Sequence, residues 1–207
     1  MEAGVSWSVS TTILATAIIL AVYLEFEKTY ASTRVIALLA FITATTIVSR
    51  QVLHGVAVSP VFFFVVLTGY VFGPVNGFVL GATTMLVSNF FVGGHGPWTP
   101  FQMIGMGLVG FSAHILPKPG NMKLRIFVLS AYGVFASFLY SAVTDVFWWL
   151  AFTSQRTLAT YLAVSSAGVI FSIARAIGNV IMFGFFGPAF IKIFERFRKR
   201  FFIEYLD

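Results

Sequence analysis

Seven blocks of apolar residues follow one another along this chain, separated by short polar or Gly/Pro-rich breaks. Their length and continuity predict helices at roughly 7–25, 34–53, 59–72, 75–92, 98–116, 125–152 and 163–187. A basic amphipathic extension follows, to about Phe202. The third block is short and bounded by Pro60 and by Gly73-Pro74, so it is expected to be tilted or to sit inside the bundle rather than to span alone. No long linker, low-complexity tract or clear internal repeat interrupts the series. The expectation is an all-α integral membrane protein forming a single transmembrane domain over 1–207, a bundle of about seven helices with a basic tail at 188–207.

Composition strengthens this reading. The 207 residues are 58% hydrophobic and 10% charged, with a mean hydropathy of +0.93. Soluble domains are about 25% charged, so the solvent for most of this chain is lipid. The net charge of +6 does not point to nucleic acid, because Lys and Arg gather at helix ends and in short loops. If all seven segments cross, ten of the thirteen fall on one side: Lys28 and Arg34, Lys118, Lys123 and Arg125, and five from Lys192 to Arg200. The positive-inside rule then places the C-terminus in the cytoplasm, the N-terminus outside, and the 93–100 turn facing outward. Met1 to Ser10 carry no Lys or Arg, so the first segment is expected to be a retained helix rather than a secretory signal. The absence of cysteine excludes disulfides and thiolate chemistry.

Candidate chemistry lies near the outward end. The turn Gly93-Gly94-His95-Gly96-Pro97-Trp98-Thr99-Pro100-Phe101-Gln102 joins two apolar segments, with Ser88 and Asn89 just before it. Pro97 and Pro100 stiffen the turn and the glycines let it be tight. His95, Trp98, Thr99, Gln102 and Asn89 form a candidate pocket wall, although Trp98 alone would read as an interfacial anchor. Arg50, Gln51 and His54 close the second helix on the same side, and Trp148 and Trp149 end the sixth, as an aromatic belt or a stacking surface for a flat ligand.

Asp145 and Arg175 are the only acid and base well inside apolar segments, at about 10 and 13 Å from the outer helix ends. Unpaired charge in lipid is expensive, so pairing is the simplest way to keep both. They either lock two helices or face a ligand cavity. Convergent polar groups in an apolar bundle are the default sign of a binding site. Small residues recur four apart at Gly69, Gly73, Gly77 and Gly81, at Ala40 and Ala44, and at Ala17 and Ala21, a spacing that lets helices approach closely. No Walker A sequence, H-E-x-x-H or G-x-S-x-G is present, so no catalytic or metal-ligating residue is assigned and any energy input is expected from a partner.

Several stretches together resemble the substrate-binding (S) component of energy-coupling factor (ECF) vitamin transporters. They are Phe72-Gly73-Pro74-Val75-Asn76-Gly77-Phe78, Ser88-Asn89-Phe90-Phe91, Gly96-Pro97-Trp98-Thr99-Pro100-Phe101-Gln102-Met103 and Gly178-Asn179-Val180, and the similarity spans about Thr33 to Arg200. The resemblance implies a six-helix core over 34–187 preceded by an extra N-terminal helix at 7–25. It implies a plasma-membrane, non-enzymatic subunit that binds a vitamin near its outer face, with Asn179 added to the site. Its partners would be a coupling transmembrane subunit, met through Ala40 and Ala44, and two cytoplasmic ATPases that alone use ATP. The turn is most similar to cobalamin-type members, so cobalamin is the leading ligand, none being held covalently. Riboflavin, another flat ring vitamin and a queuosine precursor are the alternatives. Outside the family, a small intramembrane enzyme using Asp145 with His95 or Arg175, or a purely structural membrane protein, would also fit an apolar bundle.

Overall fold

The computed structural model describes residues 2–29, 33–52, 60–92 and 94–202. Eight helices are present among them: α1 (Glu2–Thr29), α2 (Thr33–Val52), α3 (Pro60–Phe72), α4 (Pro74–Val92), α5 (Thr99–Ser112), α6 (Met122–Phe152), α7 (Leu158–Ala167) and α8 (Val169–Phe202). A single 3-10 turn, Ala113–Ile115, extends α5. The all-helical membrane bundle expected from the apolar blocks is what forms. The stretches Thr33–Val52, Pro74–Val92, Met122–Phe152 and Val169–Arg200 are each long and apolar enough to cross a membrane.

The short third block becomes the centre of the bundle. Every residue of α3 is buried, because α2, α4, α5, α6 and α8 all pack around it. A helix apolar on all faces is one that is enclosed on all faces. Phe63 meets Phe183 and Phe190 at ring-centroid distances of 5.1 and 5.4 Å, and Phe72 stacks on Phe194. These contacts seat α8 against α3. Large apolar side chains such as Phe41, Phe127 and Phe185 stay exposed on the bundle's outer surface, as expected where the surroundings are lipid.

Glycine sets the α3–α4–α5 junction. Gly73 takes a φ of 101° and reverses the chain between α3 and α4, a conformation that side chains with a Cβ resist. Pro74 then starts α4, where its missing N–H costs nothing. Along these helices Gly69, Gly77 and Gly110 bring three backbones into direct contact, and Gly81 faces the Met106 carbonyl. The glycine ladder is therefore spent on packing inside the bundle. Ala40 and Ala44, by contrast, are exposed on α2, and Ala17 and Ala21 are exposed on α1.

One expectation about the C-terminal third changes. The block at 163–187 does not start a helix at 163, because a separate short helix, α7, precedes α8. Thr157 caps α7 by accepting from the Thr160 N–H, while the Thr160 hydroxyl accepts in return from the Thr157 N–H. At the other end of α7, the break falls at Gly168. The basic amphipathic extension expected to about Phe202 is helical. It continues α8 through Pro188 to Phe202.

α1 packs on α4, α5 and α6 from outside. Tyr23 and Thr83 hydrogen-bond through their hydroxyls, and the Thr12 hydroxyl donates to the Pro97 carbonyl at 3.2 Å. The extra helix thus touches the turn that carries the candidate site.

Candidate functional site

The C-terminal ends of α2, α4 and α6 and the N-terminal end of α5 come together at one end of the bundle. α2 delivers Arg50, whose Nη1 donates to Ser88 Oγ and, at 3.1 Å, to Asn89 Oδ1. The Asn89 amide nitrogen passes the chain on to Gln102 Oε1 at 2.7 Å. Gln51 Nε2 donates to the Ser88 carbonyl at 3.3 Å. Ser88 and Asn89 are buried. Buried polar groups must be hydrogen-bonded to be tolerated, and this linear network satisfies them across three helices. Three of the expected pocket residues, Arg50, Asn89 and Gln102, are therefore neighbours. His54 lies outside the described residues.

The turn before α5 folds over this network. The Trp98 indole N–H donates to the Gly94 carbonyl at 2.8 Å, and the Gly96 N–H donates to Thr99 Oγ1 at 3.1 Å. A Cβ on Gly96 would fall 2.5 Å from the Trp98 ring, so only glycine lets that ring fold back over the turn. Trp98 stacks on Trp148 of α6 with centroids 5.6 Å apart and planes 20° apart, and Trp148 stacks in turn on Phe152. Phe147 meets Trp98 and Trp148 edge-on. The result is an aromatic column beside a row of hydrogen-bonding groups. Trp149 is not in it, since its indole donates to Thr160 Oγ1 of α7 at 2.9 Å.

His95 and Thr99 adjoin one another at 3.4 Å, but they differ in burial. Thr99 is buried, while His95 is exposed and packs against Phe90 at 4.1 Å. His95 thus sits on the outer lip of the turn rather than in the Asn89–Gln102 network.

The expected ion pair between Asp145 and Arg175 is not formed. Arg175 Nη2 donates to Ser141 Oγ at 2.5 Å and to Ser172 Oγ at 3.1 Å, and the guanidinium lies 5.5 Å from the centre of the Tyr140 ring. Asp145 turns instead towards a cavity of about 370 Å³ between α6, α7 and α8, with Ser141, Tyr161, Ser165, Ser166 and Ser172 around it. Hydroxyls on neighbouring helix turns take the place of the carboxylate. Arg175 Nε is buried with no hydrogen-bond partner. Asp145→Asn is accordingly expected to cost less than the roughly 3–5 kcal/mol of breaking a buried ion pair. Thermal unfolding in detergent measures this. A loss in that range, recovered by adding Arg175→Gln, would restore the pairing.

Asn179 is 1% exposed. Its amide donates to the Gly133 carbonyl and to Ser137 Oγ, both at 3.0 Å. The structure places it in the α6–α8 contact, away from the aromatic column. Ser141, Ser172, Tyr140 and Phe152 were not among the expected site residues. A signal for two of them existed: Ser137, Ser141 and Asp145 share a face of α6 at four-residue spacing, as Ser172 and Arg175 do on α8 at three.

This arrangement offers stacking surface, amide and guanidinium donors and a hydroxyl-lined cavity, all near one end of a membrane bundle. No curated protein and no solved structure matches the chain. The family model for the S component of the ECF-type riboflavin transporter matches residues 28–196, which takes in α2 to α7 and most of α8 and leaves α1 almost wholly outside. With that match covering most of its length, the chain belongs to the family of ECF-type riboflavin transporter S components.

Proposed function

We propose that this chain is the vitamin-capturing membrane subunit of an ECF-type importer, and that its ligand is a flat ring compound, riboflavin first among the candidates. The observation that carries this reading is the Trp98–Trp148–Phe152 column beside the Arg50–Asn89–Gln102 row. An aromatic ring system bearing carbonyl acceptors would stack on the first and accept hydrogen bonds from the second. The family match supports riboflavin at least as well as cobalamin. Cobalamin, favoured by the turn sequence, is the second ligand to test, and a queuosine precursor the third. Arg50, Trp98, Gln102, Asn89, Thr99, Trp148 and Arg175 make the proposed binding wall. His95 at the lip, Asp145 in the side cavity and Asn179 in the helix contact act around it.

The Lys and Arg distribution puts the C-terminus in the cytoplasm and the site on the outer face. The chain contains no P-loop sequence, so ATP hydrolysis belongs to two partner ATPases acting through a coupling membrane subunit.

The test is ligand binding by the purified protein in detergent. Riboflavin is expected to co-purify or to bind with quenching of tryptophan fluorescence. Trp98→Ala is expected to weaken binding about tenfold or more, equivalent to ~1.4 kcal/mol or above, while the protein stays monodisperse. Unchanged affinity in both Trp98→Ala and Gln102→Ala would move the site elsewhere. Failure of riboflavin, cobalamin and queuosine precursors alike to bind would overturn the reading of the ligand.

A further inference from the structure

At the end of the bundle opposite the aromatic column, the loop between α5 and α6 is fastened in place and presents a cation. The Tyr70 hydroxyl donates to the Pro117 carbonyl at 3.2 Å, and Arg125 Nε donates to the Pro119 carbonyl at 3.2 Å. Asn121 Oδ1 accepts from the Lys123 N–H at 2.9 Å and caps α6. Pro117 and Pro119 restrict the backbone between these anchors. Lys118, held in this loop, lies 5.2 Å above the Tyr70 ring. Its ammonium is pushed below the ordinary lysine range, first by desolvation and then by the nearby Arg198 and Arg125 guanidiniums, with Glu195 opposing. Glu195 is itself engaged by Arg125 Nη1 at 2.5 Å. One carboxylate therefore serves three cations: Arg125 is held by Pro119 and Glu195, Lys118 sits over Tyr70, and Arg198 follows Glu195 by one turn of α8.

Exposed apolar side chains adjoin this cluster along the helices. Ile115, Leu124 and Phe127 project from the end of the α5 extension and the first turns of α6, and Ile193 projects from α8. A fixed cation cluster above an apolar skirt has the layout of a phospholipid: a phosphodiester at the level of the charges and acyl chains below it. We propose that the loop carrying Lys118, together with Arg125 and Arg198, is a binding site for the headgroup of an anionic phospholipid. The lipid supplies the negative charge that the cluster lacks, and the pinned loop means little ordering is left to be done on binding. A juxtamembrane basic residue near an anionic surface contributes about fivefold in affinity.

The experiment uses the whole 207-residue chain, purified in detergent and offered phosphatidylglycerol or phosphatidylcholine of matched acyl chains, with retained lipid counted by native mass spectrometry. Phosphatidylglycerol is expected to be retained preferentially, with the preference lost at high salt. Lys118→Gln should reduce its retention about fivefold, Lys118→Gln with Arg198→Gln further, and Lys118→Arg little. Lys28→Gln removes one charge on α1 that is not among the three proposed headgroup ligands, and should have less effect than Lys118→Gln. Equal retention of the two lipids by the wild type overturns the proposal and leaves the cluster to an acidic face of a partner protein. Equal effects of Lys28→Gln and Lys118→Gln overturn it as well, since net charge alone would then set the preference.

Discussion

Gly110→Ala is expected to stop the bundle from packing in its native form. The methyl group would overlap the carbonyl oxygen of Gly77. From the facing side, a methyl on Gly69 or Gly77 would run into the Gly110 carbonyl. Each obstacle is backbone, not the movable end of a side chain, so relief requires α3, α4 and α5 to separate. Ordinary overpacking costs about 1–3 kcal/mol because side chains can adjust. Here that adjustment is absent, and α3 is the helix around which the others are arranged, so the loss should exceed that range. Gly184→Ala on α8 is the control, because nothing lies within 4 Å of its added Cβ. Expression level, monodispersity in detergent and thermal midpoint measure the effect. A Gly110→Ala protein that purifies and melts like the wild type would show that the three helices do not meet as closely as described.

That junction was half legible in the sequence. The four-residue glycine spacing signalled close approach, and the interruption at Gly73-Pro74 signalled that two helices share the ladder. What spacing along one segment does not contain is the partner. Gly110, on a different helix and outside the run, completes the contact. The same limit explains Asp145 and Arg175. Depth along a helix follows from counting residues at 1.5 Å each, and it put the two at one level. The direction of each side chain around its helix depends on how the helices are rotated by their packing, and that rotation gave Arg175 to Ser141 and Ser172. α7 was missed for a local reason. Its start is a Thr157–Thr160 reciprocal cap, which lacks the Glu or Gln that marks the usual capping box, and apolar residues run on through its end at Gly168. The turn over α5 was read more fully, because Gly96, Trp98 and Pro100 act within a few residues of one another and need no tertiary rotation to be interpreted.

Replacing both Ala40 and Ala44 with Leu is expected to abolish assembly with the coupling subunit, and with it transport, while leaving ligand affinity unchanged. The two alanines are exposed on α2. They border a groove of about 310 Å³ whose other walls include Leu39 and Thr43 of α2, Val79, Leu80 and Thr83 of α4, and Phe26 of α1. In lipid no hydrophobic force draws helices together, so association depends on close packing, and small side chains are what permit it. Two leucines would fill the groove and hold a docking helix off along its length. Both positions are exposed, so the leucines find room in the groove without displacing buried side chains. Arg50, the nearest binding-wall residue on the same helix, lies six residues beyond Ala44, or about 9 Å along the axis. Binding and transport should therefore separate in one variant. Co-purification of the coupling subunit with wild-type and substituted protein, run beside a riboflavin titration, gives both readouts. If the doubly substituted protein assembles and transports normally, the groove is occupied by lipid alone. Ala17 and Ala21, exposed on the helix that the family match leaves out, would then be the docking face to substitute next.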